Sequence, residues 1–220
     1  MSEAAEHRAR LSAGCSQPAI YAAVASALGA VHPGGGTLVD VGCGSGALWQ
    51  VLRSAFARYV GVDLIGYDGF PSDGELVISN LDDTLPLADE YAEVVASIET
   101  IEHLENPRAF MRQLTRVVKP GGLVIVTTPN QLSLLSKMTL VLKNQFNAFQ
   151  SGSYPAHLTA LLEIDLVRIA RECGLAEPAI HYTNSGRIPF TPTHWPRWLG
   201  GRLFSDNIIL IAHKPKTPQL

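Results

Sequence analysis

Two constellations in this sequence have residue types and spacings that can do chemistry. The first is Glu99-Thr-Ile-Glu102-His103. Glu99 and Glu102 are three positions apart, so on a helical turn both carboxylates share a face, with His103 adjacent. A further histidine, His157, stands in Tyr154-Pro-Ala-His-Leu158. Three uses are open. Glu99 borders a cofactor while Glu102 and His103 cap a helix or line a wall. Alternatively, His103 or His157, with Glu102 beside them, removes a proton from a reacting group as a general base. The third use is a divalent ion such as Mg²⁺ held by Glu99, Glu102, His103 and His157, a set of hard-to-borderline oxygen and nitrogen ligands. The second constellation is Asp40-Val-Gly42-Cys43-Gly44-Ser-Gly46. Glycines let a backbone approach a ligand without Cβ clashes. Asp63 ends the next apolar stretch, Tyr59-Val-Gly-Val-Asp63, where a carboxylate can accept from both hydroxyls of a ribose.

These residues need a scaffold, and the hydrophobic pattern predicts one. Thr37-Leu-Val-Asp-Val41 reads as a short buried strand ending at the glycine turn, and residues 47–58 read as the helix after it. Further strands are predicted at 59–63, 76–78, 94–98, 123–127 and 207–212. Asn106-Pro107 carries both helix-start signals, an N-cap side chain and proline at the first helical position. Phe110, Met111, Leu114 and Val118 supply the buried stripe of that helix. Ser16 is a candidate cap for a helix over 18–28, and Leu162, Leu166, Ile169 and Cys173 repeat at helical spacing until Gly174. Strands alternating with helices imply right-handed crossovers and a mostly parallel, doubly wound α/β sheet. In such a sheet, ligands bind outside the carboxyl ends of the strands, where both constellations fall.

Composition narrows the classes. The chain has 220 residues, enough for a single domain with one large core. Charged residues make up 17 % and hydrophobic ones 46 %, which argues against disorder. A formal charge of −3 with no lysine-rich stripe gives no electrostatic grip on nucleic acid. The three cysteines, Cys15, Cys43 and Cys173, form no CxxC pair, so reduced thiols in a cytoplasm are the simple reading. The alanine-rich stretch near the N-terminus is interrupted by Pro18, Tyr21 and Ser26, and fits a helix better than a signal-peptide core.

Gly42-x-Gly44-x-x-Ala47 also satisfies the loose dinucleotide pattern, so a nicotinamide-dependent oxidoreductase and a tight turn without ligand both compete. The surrounding segments favour another family. Val39-Asp-Val-Gly-Cys-Gly-Ser-Gly46 resembles the first motif of the class I S-adenosylmethionine-dependent methyltransferases, and Val60-Gly-Val-Asp63 the second. Asn80-Leu-Asp-Asp-Thr-Leu-Pro-Leu87 resembles the adenine-flanking segment, with Asn80 where the family usually has Asp. Lys119-Pro-Gly-Gly-Leu-Val-Ile-Val126 resembles the turn into the fifth strand. The resemblance implies a seven-stranded sheet with its last strand antiparallel, and S-adenosylmethionine as cofactor. It implies that Asp40, Gly42, Gly44 and Gly46 form the methionine side, that Asp63 holds the ribose, and that Cys43 and Leu64 are cofactor-binding residues as well. Asn80 and Leu81 would then border the adenine, and Ile98 and Glu99 would line the wall beyond. Glu-x-x-Glu-His, Thr-Pro-Asn and a later histidine resemble the metal-dependent small-RNA 2′-O-methyltransferases, and ubiquinone-pathway O-methyltransferases are similar here.

The expected arrangement is an N-terminal helix at 16–29, a core at 35–130, a lid insertion at 131–157, and a helix with strands at 158–214. The expected chemistry is methyl transfer to an oxygen of a small or lipid-like acceptor. RNA 2′-O-methylation, N-methylation and a cofactor-binding protein without chemistry are the alternatives. Leu132, Leu134, Leu135, Met138, Leu140, Val141 and Leu142 crowd the insertion with Lys137 and Lys143, which fits a lid helix or a membrane-peripheral surface helix at 132–143. Trp195, Arg197, Trp198 and Arg202 could close the acceptor site or pack at a homodimer interface.

Overall fold

The computed structural model describes residue 10 and residues 14–216. Seven strands form one sheet in the order β3-β2-β1-β4-β5-β7-β6. They are β1 (Thr37–Val41), β2 (Arg58–Asp63), β3 (Glu75–Ile78), β4 (Ala92–Ser97), β5 (Val118–Pro129), β6 (Ala176–Tyr182) and β7 (Asn207–His213). β1 to β5 pair in parallel, and β7 runs antiparallel to both β5 and β6. The doubly wound, mostly parallel architecture expected from the alternation is therefore present.

Successive strand residues point to opposite faces, and the two faces carry separate cores. Val39, Val41, Val60 and Val62 pack with Phe110, Met111 and Leu114 of α3 (Pro107–Val117) and with Leu166 and Ile169 of α5 (Glu163–Glu172). Leu38 and Tyr59 face the other way, against Ile20, Val24 and Leu28 of α1 (Pro18–Gly29) and Leu48, Trp49 and Leu52 of α2 (Ala47–Leu52). Asn106 caps α3 as expected, its side chain accepting from Ala109 N.

Several boundaries differ from the sequence reading. α2 stops at Leu52, six residues early, because the chain must turn back for β2. Ala57 N and Arg58 N donate to Gly36 O, and Phe56 is buried in the core. Ser16 does not cap α1. Gln17 holds the N-cap position without a side-chain bond, and Ser16 N donates to the Tyr21 hydroxyl. Val118 is the first residue of β5, beyond the end of α3. β6 was not among the predicted strands. It is a half-exposed edge with Pro178 inside it, tolerable only where one side of the ladder is open.

Two excursions leave the sheet at the carboxyl end of β5. One spans 130–162 and contains α4 (Leu134–Lys143), capped by Ser133, whose hydroxyl accepts from Ser136 N. The other spans 183–206, between β6 and β7. Asn130 ties them together, since its side-chain amide donates to Arg202 O and Ser205 O while its Oδ1 accepts from Leu132 N. β7 then starts with Asn207 opposite Pro129, at the same sheet edge.

Candidate active site

At the carboxyl ends of β1, β2 and β4 lies a cavity of about 400 Å³. Its walls include Gly42, Gly44, Asp63, Leu64, Asn80, Leu81, Ile98, Glu99, Glu102, His103 and His157. Of the sequence-predicted residues, Asp40, Cys43 and Gly46 are absent from the lining. Asp40 points into the α1/α2 layer, where the Tyr59 hydroxyl donates to its Oδ2 at 3.0 Å and Oδ1 has no partner. Burial pushes its pKa up to about 7. Cys43 is buried with its thiol pushed up, and Gly46 takes a left-handed conformation as the N-cap of α2.

Asp63 is fixed where β2 ends. Its Oδ2 accepts from Gly44 N and its Oδ1 from Leu64 N, each at 2.7 Å. Burial raises its pKa and these backbone donors oppose the rise. Gly44 sits at φ +52, and a Cβ there would run into the carbonyl of Gly14. The turn therefore brings two backbone segments into close contact, which the lack of a Cβ permits. Asn80 holds the far end, donating to Asp83 Oδ2 at 2.9 Å and accepting from Asp82 N.

A further wall of the cavity is built after β4. Glu99 adopts φ 50, a strained value for a residue with a side chain. Its two oxygens are both engaged, Oε1 by the Thr127 hydroxyl at 2.8 Å and Oε2 by the Asn207 amide at 2.6 Å. Glu102 lies in the 3-10 turn Ile101–His103 and is 0 % exposed. Its Oε2 accepts from the Thr128 hydroxyl at 3.1 Å, and Oε1 has no hydrogen-bond partner. Burial raises both carboxyl pKa values, and Glu102 raises that of Glu99 further.

The histidines complete the group. His103 Nδ1 lies 2.7 Å from Ala156 O, and His157 Nδ1 lies 2.6 Å from Ala148 O. A carbonyl only accepts, so each Nδ1 carries a proton and each neutral ring keeps its lone pair on Nε2. The rings stand edge to face, 4.8 Å apart. Burial, then the neighbouring His103, lowers the His157 pKa. One ligand atom from each of Glu102, His103 and His157 can gather within 4.8 Å. Glu99 is not in that trio.

The insertion's return limb is stitched to this turn, with Leu158 N and Thr159 N donating to Glu102 O. Thr127 and Asn207, which hold Glu99, are not singled out by the sequence reading, whereas Thr128, which donates to Glu102, opens the Thr-Pro-Asn segment of the resemblance. Trp195 packs edge to face on Phe204, while Trp198 is exposed.

The seven-stranded order β3-β2-β1-β4-β5-β7-β6, with the glycine turn, Asp63 and the Glu/His cluster at one edge, is the architecture of the class I methyltransferases. The methyltransferase-domain family model matches residues 10–176, and the chain belongs to that family. The ubiquinone biosynthesis O-methyltransferase of Cereibacter sphaeroides is 26 % identical over 192 residues, 81 % of this chain and 74 % of that protein. The mitochondrial ubiquinone biosynthesis O-methyltransferase of Dictyostelium discoideum is 30 % identical over 128 residues, 50 % of this chain and 40 % of that protein. The malonyl-[acyl-carrier protein] O-methyltransferase of Hahella chejuensis is 28 % identical over 150 residues, 63 % of this chain and 50 % of that protein. The chain thus spans half or less of those last two relatives. A SAM-dependent methyltransferase structure from Thermotoga maritima shares the fold, with TM-score 0.65, 18 % identity and 88 % of each chain covered.

Proposed function

We propose that this chain transfers the methyl group of S-adenosylmethionine to an oxygen of a small or lipid-like acceptor. The cofactor supplies an electrophilic methyl carbon on a sulfonium. Gly42 and Gly44 let the backbone approach it, Asp63 accepts from its ribose hydroxyls, and Asn80 and Leu81 border its adenine. The O-methyltransferase relatives support an oxygen acceptor.

The observation that carries the acceptor chemistry is the buried, unpartnered Glu102 Oε1 beside two imidazoles whose Nδ1 atoms are committed to carbonyls. That donor set fits a divalent ion held by Glu102, His103 and His157, with the Ala156 and Ala148 carbonyls fixing the tautomers as metal-binding histidines require. Such an ion would lower the pKa of an acceptor hydroxyl. Dialysis against a chelator should abolish turnover of labelled S-adenosylmethionine, and Mg²⁺ or another divalent ion should restore it. Activity that survives the chelator, with His103→Ala or His157→Ala losing about 10²–10⁴-fold, would make that histidine a plain base. Full activity in both alanine variants would remove the cluster from the reaction.

A second reading concerns how a lipid-like acceptor arrives. α4 packs its polar side inward: Ser136 and Thr139 are 2 % and 8 % exposed, while Val141 and Leu142 are 84 % and 64 % exposed. Among the described residues no helix is long and apolar enough to cross a membrane. An apolar helix end flanked by Lys137 and Lys143 fits peripheral contact with a bilayer surface.

A further inference from the structure

The cavity wall packed directly on the glycine turn is made neither by the sheet nor by its crossovers. It is a short strap, residues 14–17, running into α1. Three contacts pin the strap. Gly14 O accepts from Ser45 N of the glycine turn at 2.9 Å. The Tyr67 ring lies against Gly14, where any Cβ would collide with it. Ser16 N donates to the Tyr21 hydroxyl at 2.9 Å.

S-adenosylmethionine ends in an amino acid whose carboxylate must find donors. The cavity supplies no Lys or Arg, and it already holds Asp63, Asp82, Glu99 and Glu102. An unpaired carboxylate there would pay desolvation against like charge. The neutral donors of the lining are mostly committed. The Asn80 amide is spent on Asp83, the Asn207 amide on Glu99 and the Thr100 hydroxyl on Ile98 O. The Gln17 side chain makes no hydrogen bond among the described residues, although it stands at the N-cap position of α1. The Tyr21 hydroxyl accepts from Ser16 N, so its own proton remains to be given. Both residues line the cavity on the strap side, next to Gly44.

We propose that the strap is the receptor for the cofactor's amino-acid end: the Gln17 amide donates to its carboxylate, and the Tyr21 hydroxyl is the second donor. The proposal rests on S-adenosylmethionine being the ligand of this cavity. It gives the N-terminal helix a direct chemical role, with Gln17 and Tyr21 both in the cavity lining.

The test compares two ligands by calorimetric titration: S-adenosylhomocysteine, and 5′-methylthioadenosine, which has the same nucleoside but no amino acid. Gln17→Ala should weaken S-adenosylhomocysteine about tenfold, the loss of one hydrogen bond to a charged group, and leave 5′-methylthioadenosine unchanged. Gln17→Glu should weaken the first ligand further and again spare the second. Tyr21→Phe should weaken the first severalfold. Asp63→Ala should weaken both, since both carry the ribose. Unchanged 5′-methylthioadenosine binding also certifies that each variant is folded. Equal losses for both ligands in Gln17→Ala, no loss for S-adenosylhomocysteine, or a gain in Gln17→Glu, would each overturn the proposal. Absence of binding by either ligand to the wild-type chain would instead overturn the cofactor reading on which it stands.

Discussion

The cavity and the two excursions at its edge of the sheet are opposites in charge. The cavity wall has four carboxyls, two histidines and no Lys or Arg. Residues 130–162 and 183–206 contain five Lys and Arg and a single acidic residue, Asp206, which leaves twelve basic residues against nineteen acidic ones elsewhere. The excursions also carry the exposed Val141, Leu142, Tyr154, Phe190 and Trp198. A net charge of −3 is therefore an average over two unlike surfaces. It describes neither the acidic cavity nor the basic, apolar edge beside it.

The sharpest way to break this comparison is to destroy one half and watch the other. Gly44→Val should abolish S-adenosylhomocysteine binding in a titration. The residue sits at φ +52 with the Gly14 carbonyl where a side chain would go, so both backbone and space refuse it. The fold should survive by circular dichroism, because the turn is at the cavity rather than in either core. Normal cofactor affinity in this variant would remove the glycine turn from the site.

The two halves were also unequally legible. The cofactor half is written in contiguous stretches. Its glycines, Asp63, Asn80 and Leu81 follow single strands, and strand ends read directly as positions in a parallel sheet. Even there Asp40 was misplaced. The alternation of a strand sends Asp40 to the face opposite that of Val39 and Val41, into the layer of Tyr59. The cluster of Glu99, Glu102, His103 and His157 is assembled from distant residues. Glu99 is held by Asn207 across 108 positions, and His103 meets Ala156 across 53. Neither pairing has a local pattern. The insertion misled in another way. Its leucines promise a buried face, yet Ser136 accepts from Asn147 N and Thr139 donates to Leu135 O, so the hydroxyls turn inward and part of the apolar side is left outside.

That reversed helix gives the second prediction, smaller in effect. The wild-type chain should co-sediment at low salt with vesicles containing phosphatidylglycerol. The double variant Val141→Ser with Leu142→Ser should partition at least tenfold less, since each apolar side chain withdrawn from water contributes up to roughly 1.5–3 kcal/mol. Cofactor affinity should not change, because neither residue lines the cavity. Failure of the wild type to sediment would leave α4 as a lid alone.

The smallest effect concerns Asp40, the acidic residue that the cavity does not use. Its folded pKa of about 7 lies well above the ordinary carboxyl value of 3.8, and burial is the main cause. Between those values the native chain binds a proton that the unfolded chain has released. The unfolding free energy therefore falls as pH rises through that window, by up to about 1.4 kcal/mol per pH unit for one such proton. The stabilising, protonated state is complete below pH 3.8 and lost above about 7. Asp40→Asn keeps an oxygen to accept from the Tyr59 hydroxyl and has nothing to titrate. Denaturant midpoints measured from pH 4 to 8 should therefore show a shallower slope in the variant than in the wild type. The remaining slope belongs to Glu99, Glu102 and Asp63, whose pKa values burial also raises. Those three line the cavity and Asp40 does not, so saturating S-adenosylhomocysteine should alter their share and leave the difference between variant and wild type intact. Identical slopes in the two proteins would mean that Asp40 is ionised in the fold, and that its unpartnered oxygen has found a donor near the cavity after all.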